Sequence, residues 1–431
     1  MRLHIKNGRL IDPANGIDAF KDVCIAAGKI LDITEPGVTP KNFKSTKVID
    51  ATNLVVAPGL VDLSARLREP GYEYKATLES EMQAAMQGGV TSLICPPDTD
   101  PVLDEPGLVE MLKHRAKSLN QANVYPLGAL TMGLKGASLT EMAELTEAGC
   151  VGFSQAAEPI LDTMVMLRAM QYAKTFGFSV WLRPQDASLS TGIAHSGPVA
   201  SRLGLSGIPV IAETIALHTI FELVRQTGAR VHLCRMSSAA GLELMRQAKK
   251  ENLPITCDVG AHHIHMIDED IGFFDSNARI LPPFRAKRDR EAICAALLDG
   301  TIDAICSDHT PVDDDEKQLP FGEASPGATG LELLLSLALK WADENVQTAQ
   351  HKLSRAIAKV TVDAARIASL PCGQLGIGSD ADICIFDPDA RWVVNIASLA
   401  SQGKHTPFLG RELPGRVRTT IVGGRVTYER K

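Results

Sequence analysis

The stretch VAPGLVDLSARLREPG, residues 56–71, decides the fold. An apolar run of strand type, residues 54–56 and 60–63, passes through the turn Pro58-Gly59 and ends in a polar cluster. In a barrel of parallel strands, the functional groups stand at this end of each strand. The stretch therefore predicts one strand over Leu54 to Leu63, with a site at its far end.

The middle of the chain alternates strand-like runs with helical periodicity, a pattern typical of parallel strands joined by crossover helices. Helices are predicted over residues 77–87, 107–117 and 238–250. Eight such units close a TIM (β/α)8 barrel, so the fold class is α/β. The predicted strands are Leu54 to Leu63, Val90 to Cys95, Val124 to Leu130, Cys150 to Ser154, Ser179 to Leu182, Arg230 to Cys234, Ile255 to Val259 and Ile302 to Cys306.

Both ends of the chain carry short strands with hairpin signals, such as Asn7-Gly8 and Gly423-Gly424. These segments predict a small β-sandwich built from both chain termini. The predicted division is residues 1–55 plus 370–431 for the β-sandwich domain and residues 56–369 for the barrel. The acidic stretch from Pro311 to Gly327 lacks periodicity and is predicted to be a mobile loop over the barrel mouth.

The composition is that of a soluble globular protein. The chain has 431 residues, 45% hydrophobic and 22% charged, with a formal net charge of −7. The absence of a basic run, an apolar span or a secretory leader argues against nucleic acid and membrane, and favours a cytoplasmic location. The nine cysteines form no Cys-x-x-Cys pair and are expected to be reduced thiols.

The first-strand motif and the Arg68-Glu69-Pro70-Gly71 that follows it resemble the dihydroorotases, which belong to the cyclic amidohydrolase superfamily. The resemblance implies ring closure of N-carbamoyl-aspartate at a zinc centre. In that family the first strand ends in His-x-His, which supplies two zinc ligands. Here Ser64 and Arg66 stand in those places.

The other strand ends depart from the family motif in the same direction. By the resemblance, Arg68 is the arginine that grips the substrate and Asp308 is the general base, and both are kept. The substrate-binding amide is replaced by Asp98. The remaining metal-ligand positions hold Gln155, Arg183 and Arg235.

Arginine is a poor substitute for a zinc ligand because it has no acceptor atom and stays protonated in proteins. Arg66, Arg183 and Arg235 place three positive charges where the family binds metal. We therefore expect an internal ion-pair network with Asp308 and Asp98, and no zinc cofactor. The alternative is that these arginines bind an anionic ligand such as a carboxylate or phosphate.

A cluster at His262, His263 and His265 offers a weak alternative metal site. On an extended chain, adjacent residues point to opposite faces, so only His263 and His265 are expected to share a side.

The resemblance leads to one main hypothesis and two alternatives. The chain is similar to the dihydroorotase-like subunits that lack catalysis and accompany bacterial aspartate transcarbamoylase, as part of a homodimer or hetero-oligomer. The first alternative is an active dihydroorotase or other cyclic amide hydrolase, of the hydantoinase or allantoinase kind, with an atypical metal site. The second is an anion-binding module that uses the arginine-lined mouth.

Overall fold

The computed structural model describes residues 2–430, and its centre is a closed barrel of parallel strands. Each strand pairs in parallel with the next, and a bridge between Ala65 and His309 joins the first strand to the last. The predicted α/β TIM-barrel fold is confirmed. The barrel strands are Leu60–Asp62, Val90–Cys95, Asn123–Pro126 with Gly128–Ala129, Phe153–Ser154, Ser179–Leu182, Arg230–Leu233, Ile255–Gly260 and Ala304–Cys306.

The predicted single strand over Leu54 to Leu63 is wrong, because the chain changes sheets at Gly59. Val55–Pro58 pairs with Ile383–Val393 outside the barrel, whereas Leu60–Asp62 is the first barrel strand. A Cβ atom on Gly59 would lie 2.1 Å from the Oγ1 of Thr91. Only glycine lets the two strands approach this closely at the point of change.

Both ends of the chain build the β-sandwich. Its strands form one hydrogen-bonded set around a separate core that includes Leu3, Ile25 and Ile383. The boundaries drawn at residues 55 and 370 stay a prediction. The strands are Arg2–Asp12, Ile17–Ala26, Lys29–Thr34, Lys47–Asp50, Val55–Pro58, Ile383–Val393, Glu412–Val422 and Arg425–Glu429.

Helices surround the barrel, and their ends follow ordinary capping chemistry. Thr77 caps the first helix by accepting a hydrogen bond from the Ser80 amide at 3.2 Å, and Gly89 ends it with φ of 79°. None of the helices within residues 2–430 has the length and apolarity to cross a membrane. The longer helices are Leu78–Gly88, Pro106–Leu119, Met142–Ala148, Thr163–Phe176, Ile211–Thr227, Ala239–Lys250, Lys287–Asp299, Leu334–Asn345 and Lys352–Lys359, and the shorter ones are Pro198–Leu203, Asp314–Lys317 and Val362–Ile367.

The acidic stretch 311–327, which we call the mouth segment, has more structure than its sequence predicts. It contains the helical turn Asp314–Lys317. The Lys317 ammonium is fully buried and donates to the carbonyl oxygens of Arg279, Ser325 and Gly327 at 3.0, 3.1 and 2.7 Å. The sequence did not predict this helical turn, and Lys317 joins the middle of the mouth segment to its end and to Arg279. The mobility of the segment stays a prediction.

Candidate binding site at the barrel mouth

A cavity of about 230 Å³ opens at the carboxyl ends of the barrel strands. The mouth segment forms one wall and the strand ends form the others. Its charged lining residues are five cations and two carboxylates, namely Arg66, Arg68, Lys75, Arg183, Arg235, Asp98 and Asp308. The positive excess makes the cavity a candidate site for an anion.

Arg66 links the ends of the first, second and last barrel strands. Its Nε donates to Asp98 Oδ2 at 2.7 Å, and its Nη1 donates to Thr310 Oγ1 at 3.0 Å and lies 3.8 Å from Asp308 Oδ1. Its backbone amide donates to the carbonyl of His309 at 2.9 Å, which fixes where the side chain starts. The guanidinium groups of Arg66 and its neighbours lower the pKa of Asp98 against the opposing effect of burial.

Arg235 and Asp308 form the most buried ion pair of the mouth. Arg235 Nη1 donates to Asp308 Oδ1 at 2.7 Å, and the two residues are only 5% and 6% exposed. Burial alone would raise the pKa of Asp308, but Arg235 and then Arg66 outweigh it and lower that pKa. Burial also opposes the charge of Arg235, yet Asp308 raises its pKa overall. Asp308 is thus an ionised carboxylate whose negative charge is balanced by Arg235.

Both partners of this pair have an unusual backbone conformation. Arg235 has φ of 60° and Asp308 has φ of 48°, in the left-handed region that side-chain-bearing residues seldom adopt. The amide of Arg235 is held by the carboxylate of Asp258, and Ser307, just before Asp308, donates its amide to Asp62 Oδ1 at 2.7 Å. These buried carboxylates hold the strand ends in the turns that aim the pair inward.

Arg183 departs from the expectation that all three arginines pair with mouth carboxylates. Its Nη2 donates to the side-chain oxygen of Gln185, and within residues 2–430 it forms no ion pair. Burial, followed by repulsion from Arg235 and Arg66, lowers the pKa of Arg183 to about 9. The prediction is wrong here because Arg235 and Arg66 take up the available carboxylate of Asp308.

Arg68 also faces the cavity without a carboxylate partner among the described residues. Its Nε donates to the carbonyl of Pro311 at 2.9 Å, which ties it to the mouth segment. Burial is the main cause that lowers the pKa of Arg68 to about 10, and repulsion from Arg66 adds to it.

Ser64 and Gln155 stand at family ligand positions, and hydrogen bonds within the protein hold the backbone of Ser64 and the side chain of Gln155. The Gln155 amide donates to the carbonyl of Leu134 at 2.7 Å and accepts from Thr131 Oγ1 at 3.0 Å. The Ser64 amide donates to Asp62 Oδ1 at 3.4 Å, and its carbonyl accepts from the His309 amide at 3.0 Å. Neither residue lines the cavity.

His262 and His263 lie in a 3-10 helix, Ala261–Ile264, and His265 directly follows it, so the premise of an extended chain is wrong. Nε2 of His263 lies 3.0 Å from the carbonyl of Pro282, while Nε2 of His265 lies 2.9 Å from the carbonyl of Leu337. The two rings thus contact different parts of the fold. Burial lowers the pKa of His262, His263 and His265 to about 4 in each case.

The donor set does not fit the zinc that the family motif implies. A zinc site needs three or four imidazole, thiolate or carboxylate donors around one point. Within residues 2–430, His, Cys, Asp and Glu side chains form no group of three that could hold a metal ion. The two carboxylates that line the cavity are already bonded to guanidinium groups.

Sequence reasoning missed the residues that support this arrangement. Thr310 binds Arg66, while Asp62 and Asp258 hold the strand ends. The available signal was an aspartate within each of two apolar strands, Leu60–Asp62 and Ile255–Gly260, where a buried carboxylate needs partners.

The closed barrel, the terminal β-sandwich and the polar cavity at the strand ends define an amidohydrolase type of TIM barrel. Two family models match the chain: "Dihydro-orotase-like" over residues 53–240 and "Amidohydrolase family" over residues 212–427. A "Dihydroorotase-like protein" of Pseudomonas aeruginosa is 43% identical over 100% of both chains, and a "Dihydroorotase" of Geobacter metallireducens is 40% identical over 100% of both. The chain belongs to the dihydroorotase-like proteins of the amidohydrolase family.

Solved structures agree on the fold. The L-hydantoinase from Arthrobacter aurescens superposes with a TM-score of 0.87 at 23% identity, covering 99% of this chain and 96% of that one. A D-hydantoinase from Thermus sp. gives a TM-score of 0.82 at 21% identity, over 99% and 95%. At these identities the likeness extends to the architecture alone.

Proposed function

We propose that this dihydroorotase-like chain has lost zinc-dependent hydrolysis and acts as a structural partner of aspartate transcarbamoylase. The observation that carries the first half is the buried ion pair between Arg235 and Asp308, at 2.7 Å. It occupies the position where the family motif would place a metal ligand and the general base.

The chemistry of this pair opposes hydrolysis in two ways. Arginine offers no lone pair to a metal, and its charge repels a divalent cation. Without metal activation, water keeps a pKa far above neutral and is a weak nucleophile. A general base must also have a pKa near the working pH, whereas Asp308 has a lowered pKa and an arginine on its oxygen. We propose that the chain holds no zinc cofactor.

Elemental analysis of protein purified without chelators or a histidine tag tests this half. We expect zinc well below one equivalent per chain, and no turnover of dihydroorotate or N-carbamoyl-aspartate when zinc is added. One or two equivalents of zinc would refute the proposed loss of the metal. Turnover that is abolished in a folded Asp308→Ala variant would establish the competing function of an active cyclic amide hydrolase.

The proposed partnership rests on the likeness that remains outside the altered residues of the barrel mouth. A relative named a dihydroorotase-like protein is 43% identical over the whole of both chains, so the likeness is not confined to the mouth. Under this proposal the protein is cytoplasmic and forms a homodimer or a hetero-oligomer with the catalytic chain of aspartate transcarbamoylase, and it binds neither nucleic acid nor membrane.

Co-expression with the aspartate transcarbamoylase of the same organism tests the partnership. We expect the two chains to elute together in size-exclusion chromatography and to remain together in sedimentation velocity. Separate elution at micromolar concentration would refute the partnership.

A further inference from the structure

The cavity at the barrel mouth carries positive charge that its own carboxylates leave uncompensated. Three of its five cations are paired: Lys75 with Glu316 at 2.7 Å, Arg66 with Asp98 at 2.7 Å, and Arg235 with Asp308 at 2.7 Å. Two guanidinium groups remain, those of Arg68 and Arg183. Once the carboxylate of Glu316 beside the cavity is counted with Asp98 and Asp308, an excess of about two positive charges remains.

Both remaining guanidinium groups have unused donors at the cavity. Arg68 uses its Nε on the carbonyl of Pro311, and Arg183 uses one terminal nitrogen on Gln185. Glu158 attracts Arg183 electrostatically but forms no ion pair with it. A planar guanidinium with free N–H groups matches the oxygen atoms of phosphate and carboxylate better than any other side chain does.

A further observation concerns Arg235, which lines the same cavity. The Nε of Arg235 is buried and has no hydrogen-bond partner, although the residue is only 5% exposed and lines the cavity. A buried donor without a partner costs free energy unless a ligand or water satisfies it. The cavity of about 230 Å³ is large enough for a small polyatomic anion, since one water takes about 30 Å³ of liquid.

We propose that the mouth cavity binds a dianionic oxyanion of the phosphate type through the guanidinium groups of Arg183 and Arg68. At the positions where the family motif implies ligands of a metal cation, Arg183 and Arg235 favour an anion instead. A phosphate group brings two charges, which balances the two unpaired arginines, and several acceptor oxygens for their free donors. The inference goes beyond the proposed partnership, and either one can fail without the other.

Isothermal titration calorimetry with sodium phosphate tests the proposal on the full chain, in a buffer of constant ionic strength. We expect a Kd below about 1 mM for the wild type and at least about 10-fold weaker binding for Arg183→Gln. The matched control is Arg225→Gln, which removes an exposed arginine paired with Glu251 at 2.8 Å and should bind phosphate as the wild type does.

The comparison between variants is needed because phosphate and sulfate also stabilise folded proteins by exclusion from their surface. Circular dichroism of Arg183→Gln establishes that the variant is folded. Phosphate binding that is equal in the wild type and in folded Arg183→Gln would overturn the proposal, as would no heat in the wild type at about 10 mM phosphate. Glycerol 2-phosphate distinguishes a phosphate ester from free phosphate as the source, and tighter binding of sodium succinate would contradict the phosphate class.

Discussion

The guanidinium of Arg235 and the carboxylate of Asp308 are in direct contact at 2.7 Å, and each residue is more than nine-tenths buried. A buried pair gains little over an apolar pair of similar size, but it becomes costly when one partner is lost. The loss of one partner should therefore destabilise the barrel more than the replacement of both partners by apolar residues.

Removing the carboxylate alone should destabilise the protein strongly. For Asp308→Asn we expect the free energy of unfolding to fall by about 3–5 kcal/mol, because Arg235 is left as an unpaired buried charge. Urea unfolding followed by circular dichroism measures it. The double variant Arg235→Met/Asp308→Leu should lose less than Asp308→Asn does, and a single variant within about 1 kcal/mol of the wild type would contradict the buried-pair description.

The sheet change at Gly59 predicts a steric cost. Gly59→Ala places a Cβ atom 2.1 Å from Thr91 Oγ1, so we expect a loss of about 1–3 kcal/mol in urea unfolding. Adding Thr91→Ala should recover part of it. Gly107→Ala is the control, since a Cβ atom on this helical residue would meet no other atom within 4 Å. Equal stability of the Gly59 and Gly107 variants would refute the close approach.

Lys317 should hold the mouth segment in its folded conformation. In Lys317→Met the three carbonyl oxygens lose their shared donor, and we expect cleavage after Glu316 and Glu323 by a Glu-specific protease to quicken about 10-fold or more. Lys340→Met is the control, because Lys340 pairs with Glu344 on a helix surface. An unchanged cleavage rate at the mouth segment in Lys317→Met would show that other contacts hold it.

The buried histidines predict sensitivity to acid. The pKa of His263 is lowered to about 4 from an ordinary value near 6.5, so between these pH values the unfolded chain binds a proton that the folded chain does not. Stability is therefore present above pH 6.5 and is lost as the pH falls toward 4. His263→Asn should reduce the slope of unfolding free energy against pH by about 1.4 kcal/mol per unit in this window.

Urea titrations at several pH values between about 4.5 and 7 measure that slope. His351→Asn, at an exposed histidine, is the control and should leave the slope unchanged. A His263 variant with the wild-type slope would mean that this imidazole accepts a proton in the folded state.

The sequence predicted the barrel because the periodicity of strands and helices is a local property. It predicted the pairing of Arg66 and Arg235 with carboxylates because the family motif places these residues together at the strand ends. It did not predict the break at Gly59, which depends on the approach of Thr91 from another strand. It also did not predict the isolation of Arg183, because competition among three arginines for one aspartate is decided by distances in the folded barrel.

Two further misses have similar causes. Nothing in the acidic composition of the mouth segment reveals that Lys317 turns inward to three carbonyl groups. The residues His262 and His263 lie just beyond the strand Ile255–Gly260, where a 3-10 helix begins at Ala261 in place of the extended chain that was expected. In each case tertiary contacts, rather than local preference, select the conformation.

The pairing of Arg235 with Asp308 also limits which substitutions this chain can accept during evolution. A substitution that restored a metal ligand at residue 235 would first leave Asp308 without its main partner, at a cost that is a large part of a typical folding free energy of about 5–15 kcal/mol. Under the proposed loss of zinc, a single-step return to metal chemistry would therefore lose stability before it regained catalysis. The ion pair would then act as an evolutionary ratchet, because no single substitution reverses it without that cost.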